Sequence, residues 1–169
     1  KSSDTNNRVA PGTTGSMTFS ISGKAEVLAS INLQMTNTKD VVLKYTNNNV
    51  AGTDYAPVKW TLTKSVNGAA ATNVVENKTL AELAVELNKE FVNAKTEAGT
   101  ELNVTYTLTW AWAFTSGDEN DTLDTLLGMT ANGTADATID TYKVATGTTT
   151  EVGFELTISV TQLPENVNA

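Results

Sequence analysis

Five residues in one short stretch carry oxygen donors of the kind that hold hard cations: Asp118, Glu119, Asn120, Asp121 and Asp124. Calcium takes several oxygen ligands, and a loop of carboxylates with an amide can supply them. The candidate ligand set is Asp118, Asn120, Asp121 and Asp124. The EF-hand spacing D-x-[DN]-x-[DN]-G is met in part: Asp118 and Asn120 fit, and Thr122 does not. The plainer reading is an acidic turn, Thr115–Asp121, in which Asp121 caps one helical turn over Thr122–Leu127 that Gly128 ends. Paired carboxylates can also run glycoside hydrolysis, but nothing sets two of them beside a groove of exposed aromatics. Trp60, Trp110 and Trp112 fall on apolar strand faces and read as core rather than as a sugar platform.

Composition closes most other routes to catalysis. The chain of 169 residues has no histidine and no cysteine. That removes the commonest general base, the commonest zinc ligand and all thiol chemistry. A Ser-His-Asp triad, a Cys-His pair and an HExxH zinc site are impossible, and no enzyme is expected. Without disulfides the fold must stand on packing. The net charge of −8 repels nucleic acid and anionic membrane surfaces, so neither is an expected partner. No run is long and apolar enough for a transmembrane helix, and no signal peptide opens the chain. Four sequons, at Asn77, Asn103, Asn120 and Asn132, license glycosylation only in a host that modifies them.

The elements that must position these residues are strands. From Leu102 to Phe114 every even residue is large and apolar, and every odd one is small or polar. That is the period of a strand with one buried face, here carrying Tyr106, Trp110, Trp112 and Phe114. Thirteen such residues would span about 44 Å, so a bend or bulge is expected. Met17–Ile21, Val27–Met35, Val41–Tyr45, Val58–Leu62 and Val152–Thr161 alternate in the same way. Asn67-Gly68 predicts a hairpin with a return strand near Thr72–Val75, and Asn132-Gly133 is a second hairpin signal before a weak strand over Ala137–Val144. Between Thr79 and Asn93 the period changes. Leu80, Leu83, Ala84, Leu87 and Phe91 make a helical stripe, and Thr79 with Glu82 forms a capping box.

About eight strands, polar turns and no βαβ alternation predict an all-β fold: a two-sheet, jelly-roll-like sandwich with one inserted amphipathic helix at about 79–94. The expected organisation is an exposed lead-in over 1–15, a single domain over 16–163 and a tail over 164–169. Sandwich edges invite strand addition, and Glu155 is the lone charge inside the last strand.

Three segments carry a resemblance to a known family. They are NRVAPGTTGSMTFSISGKAEV (residues 7–27), LTWAWAFTSGDENDTLDTLLG (residues 108–128) and FELTISVTQ (residues 154–162). Together they resemble the TasA/camelysin-type family of biofilm-matrix fibre proteins and the related archaeal bundling pilins. The resemblance implies an exported jelly-roll subunit at the cell surface or in the extracellular matrix. It implies a homopolymer formed by donor-strand complementation, with other matrix or surface components as further partners. The chain departs from the pattern at Lys1–Ala10, which is too polar for a donor strand, and at Ala113, where relatives often carry proline. The metalloprotease activity described for camelysin-like members does not carry over to a chain without histidine. The expected function is therefore a structural fibre subunit. The alternatives are a monomeric adhesin or binding module on the same sandwich and, third, a metal-dependent peptidase. No cofactor is expected beyond the possible Ca2+.

Overall fold

The computed structural model describes residues 8–91, 95–114 and 117–164. The fold is all-β, in antiparallel sheets of the sandwich class with inserted helices, as the alternating strands lead one to expect. The chain folds into two compact units. One comprises residues up to Ser16, Lys39–Lys59 and Trp110–Gly153; the other comprises Met17–Thr38, Trp60–Thr109 and the segment from Phe154.

Most of the strand length lies in the second unit. The strands β1 (Thr14–Lys24), β8 (Glu101–Trp112), β5 (Val58–Val66) and β6 (Thr72–Lys78) form one sheet in the order β1-β8-β5-β6. A second sheet has the order β11-β2-β7, from Gly153–Gln162, Ala29–Lys39 and Lys95–Thr96. Period two does its work here. Ile31, Leu33 and Met35 of β2, Trp60 and Leu62 of β5, and Tyr106 and Leu108 of β8 are all buried. Phe19 stacks on Tyr106 with ring centroids 5.3 Å apart, and Phe154 meets Trp60 edge-on at 6.0 Å. On the other face of β1 and β8 the polar residues bond across strands, Thr18 to Thr107 over 3.3 Å and Ser20 to Thr105 over 3.0 Å.

The hairpin between β5 and β6 turns at Asn67 and Gly68, which have φ of 52° and 73°. Two successive positive φ values suit the right-handed twist of the strands, which is why this dipeptide predicts the turn. The helix α1 (Leu80–Phe91) follows, capped as expected. Thr79 N–H donates to Glu82 Oε2 (2.9 Å), and Glu82 N–H donates to Thr79 Oγ1 (3.3 Å). Leu80, Leu83 and Leu87 are buried. The side chain of Phe91 and residues 92–94, the end of the expected helix, lie outside the described residues.

The first unit holds the short strands β3 (Tyr45–Asn47), β4 (Val50–Ala51), β9 (Thr138–Ile139) and β10 (Tyr142–Val144), in the order β4-β3-β10-β9. Val41 and Leu43 are buried, but they are held by single bridges, Val42 to Thr149 and Leu43 to Tyr55, rather than by a strand of their own. Residues 10–13, expected within an exposed lead-in, are tied to the end of β8: Gly12 N–H donates to the Trp112 carbonyl (2.9 Å), and Trp112 N–H donates to Thr13 O (3.0 Å). Residues 1–7 of that lead-in, and 165–169 of the expected tail, lie outside the described residues.

Three expectations are corrected here. A second helix, α2, runs from Asp118 to Ala131 and passes straight through Gly128. Asn132 is its C-cap and Gly133 follows with φ 95°, so this dipeptide ends a helix instead of turning a hairpin. Phe114 is 75% exposed. Strand β8 stops at Trp112, and beyond the last ladder bond the period-two frame no longer sets a side chain's direction.

Candidate functional site

Two features stand out from the packing: a cleft built around Asp124 in the first unit, and a long sheet edge in the second.

The cleft begins with helix α2. Its first turn carries Asp118, Glu119 and Asp121, which complement the positive end of the helix dipole. Gly117 occupies the N-cap with φ 105° and offers no capping side chain, so Asp121 is not the cap that the sequence suggests. Helical spacing then separates the acidic residues. Asp118, Glu119 and Asp121 are exposed, Asn120 is half-buried, and Asp124 faces inward beside Leu123, Leu126 and Leu127. Among the described residues, no group of three or more acidic side chains converges as a metal site needs. Thr115 and Ser116, at the start of the expected acidic loop, lie outside the described residues.

Asp124 is the chemically distinctive member. It is 8% exposed, and its Oδ1 accepts two hydrogen bonds, from the Tyr55 hydroxyl at 2.9 Å and from the Trp112 indole N–H at 3.0 Å. Oδ2 is buried and has no hydrogen-bond partner among the described residues. Burial raises the carboxyl above its ordinary pKa of 3.8; the two donors oppose that shift, and the charge of Asp121 adds to it. Asp124 lines a cleft of about 910 Å³, with Val41, Trp112, Leu127, Gly128, Val152, residues 8–11 and Thr13 among its walls. That volume falls in the range of small-molecule sites, roughly 300–1,000 Å³. The sequence singles out Asp124 only as a cation ligand. A buried acid can be found from the pattern L-D-x-L-L, but only once the segment is known to be helical.

The edge belongs to β11, which has β2 on one side and no strand on the other among the described residues. Phe154 and Leu156 are half-buried, whereas Ile158 and Val160 on the same face are 41% and 61% exposed. The apolar alternation therefore outruns its cover. The charge on Glu155 accepts a hydrogen bond from the Asn37 amide at 2.8 Å, so it is directed to β2 rather than across the open edge. Strand β1 is an edge as well, and it carries no charge before Lys24.

Comparison with protein families, with curated proteins and with solved structures finds no match to this chain. No helix among the described residues is long and apolar enough to cross a membrane.

Proposed function

We propose that the protein is a structural subunit of an extracellular fibre, at the cell surface or in a biofilm matrix, whose copies join by β-strand addition. The observation that carries this reading is the β11 edge. The ten-residue strand has no strand on its outer side among the described residues, and Ile158 and Val160 offer apolar surface there. Soluble monomers ordinarily blunt such an edge with inward charges, proline or bulges. Here Pro164 comes only after the strand has ended. Backbone pairing supplies affinity in strand addition, and pockets for alternate side chains supply register. The resemblance of residues 7–27, 108–128 and 154–162 to TasA/camelysin-type proteins points the same way and implies export.

A second reading, a monomeric adhesin or binding module, is favoured by the cleft at Asp124. Negative-stain microscopy with size-exclusion chromatography of the full mature protein separates the two. Filaments, or a concentration-dependent ladder of oligomers, are expected. Monomers alone at high concentration would leave the binding-module reading standing.

A further inference from the structure

We propose that the cleft on helix α2 is a binding site for a small organic amine, whose ammonium meets the Asp124 carboxylate and whose apolar body lies against Val41, Trp112 and Leu127. The site lies within the first unit and does not depend on the assembly reading.

Three observations converge on it. The first is the orphan oxygen. A buried carboxylate is normally satisfied on both oxygens, because each unmet lone pair keeps its desolvation cost. Asp124 has both its donors on Oδ1 and none on Oδ2. A ligand N–H on the second oxygen completes the set, and a cation does so more strongly than a neutral donor. Oδ2 is buried while Asp124 lines the cleft, so a ligand reaches it through the small side-chain adjustments that accompany binding.

The second observation is the wall. Val41, Trp112 and Leu127 are buried core residues that also line the cleft, so an apolar body finds a preformed surface rather than a collapsing one. Tyr55 and Trp112 hold the carboxylate from two separate segments and fix its direction in advance.

The third is Gly128. Glycine inside a helix is less favourable than alanine. Close packing can require a glycine elsewhere in the chain, as at Gly52 in the loop after β4, where a Cβ would run into the Tyr45 ring. At Gly128 a Cβ would meet no heavy atom within 4 Å, yet the residue lines the cleft. The missing side chain keeps the cleft open and serves no contact in the fold.

The test uses the isotope-labelled full chain and two probes of one shape, 2-phenylethylammonium and 2-phenylethanol. Saturable shifts of the Trp112 indole N–H and of the amides of residues 124–131 are expected with the amine. Binding of the alcohol is expected to be about tenfold weaker or less, since it lacks the charge-assisted bond. Asp124→Asn keeps the shape and the Oδ1 acceptor, and should bring the two probes to equal affinity. Gly128→Leu should remove binding of both while leaving the melting temperature at or above that of the parent. The proposal is overturned by any of three results: no saturable shift at Trp112, equal affinity of the two probes for the parent chain, or undiminished binding in Gly128→Leu.

Discussion

The indole N–H of Trp112 donates to Asp124 Oδ1 across 3.0 Å, and so ties the end of the long strand β8 to the second turn of α2, twelve residues on. Tyr55 reaches the same oxygen from a different part of the chain, at 2.9 Å. One carboxylate thus joins three segments of the first unit. Asp124→Ala removes the acceptor shared by the Tyr55 hydroxyl and the buried Trp112 indole N–H, while relieving the burial of a charge. The net cost is expected to be about 2–4 kcal/mol, with Asp124→Asn costing roughly half as much. Urea unfolding followed by tryptophan fluorescence measures both, and equal stability of all three proteins would show that the carboxylate joins nothing.

The pH dependence of that contribution has a defined sign. Burial raises the Asp124 pKa above 3.8 in the folded state, so the native protein holds this proton more tightly than the unfolded chain. The associated stability is present in full below pH 3.8 and is lost as pH rises through the folded pKa. The parent should therefore lose stability relative to Asp124→Asn as pH increases across that window. Paired denaturation curves at stepped pH test this, and a gap that widens in favour of the parent with rising pH contradicts it.

Trp112 and Phe114 sit two residues apart in one alternating pattern, yet they should behave differently. Trp112 is 5% exposed and Phe114 is 75% exposed. Trp112→Ala removes a buried ring and a hydrogen-bond donor, at about 3–5 kcal/mol. Phe114→Ser is expected to stay within about 0.5 kcal/mol. Thermal denaturation of the two variants separates them without ambiguity.

The same pair shows where the sequence is legible and where it is not. Strands with a buried face were readable because each side chain alternates between core and solvent. Ile31, Leu33, Met35, Leu62, Tyr106 and Leu108 all lie where the period puts them. The α1 cap and the Asn67-Gly68 turn were readable because each rests on one local mechanism, a side chain meeting an orphan N–H or a pair of positive φ values. Helix α2 was hidden because its local signals point elsewhere. Thr122, Thr125 and Thr130 are poor helix formers, Gly128 reads as a stop, and the acidic residues read as a loop. The threonine hydroxyls bond back to the carbonyls of Asp118, Asp121 and Leu126, at 2.9–3.0 Å, and packing of Leu123, Leu126 and Leu127 overrides the propensity. The cleft was not readable at all, since it depends on segments from five parts of the chain.

The β11 edge carries the assembly proposal, and it separates cleanly from the fold. Ile158 and Val160 are already exposed, at 41% and 61%, so replacing each with lysine buries no charge and removes little packing. The double variant Ile158→Lys/Val160→Lys should change monomer stability by no more than about 1 kcal/mol. Lysine on an edge strand is also the usual natural block to edge-to-edge pairing. If β11 accepts a strand from another copy, the variant should stay monomeric under conditions in which the parent polymerises, with an unchanged far-ultraviolet dichroism spectrum. Thr157→Lys/Ser159→Lys places the same charge on the opposite face of the same strand. It distinguishes a requirement for the apolar face from simple repulsion in a chain of net charge −8, because added lysines reduce that charge in both variants. Polymerisation lost only in the first variant supports docking through Ile158 and Val160. Polymerisation retained in the first variant moves the assembly surface off this edge.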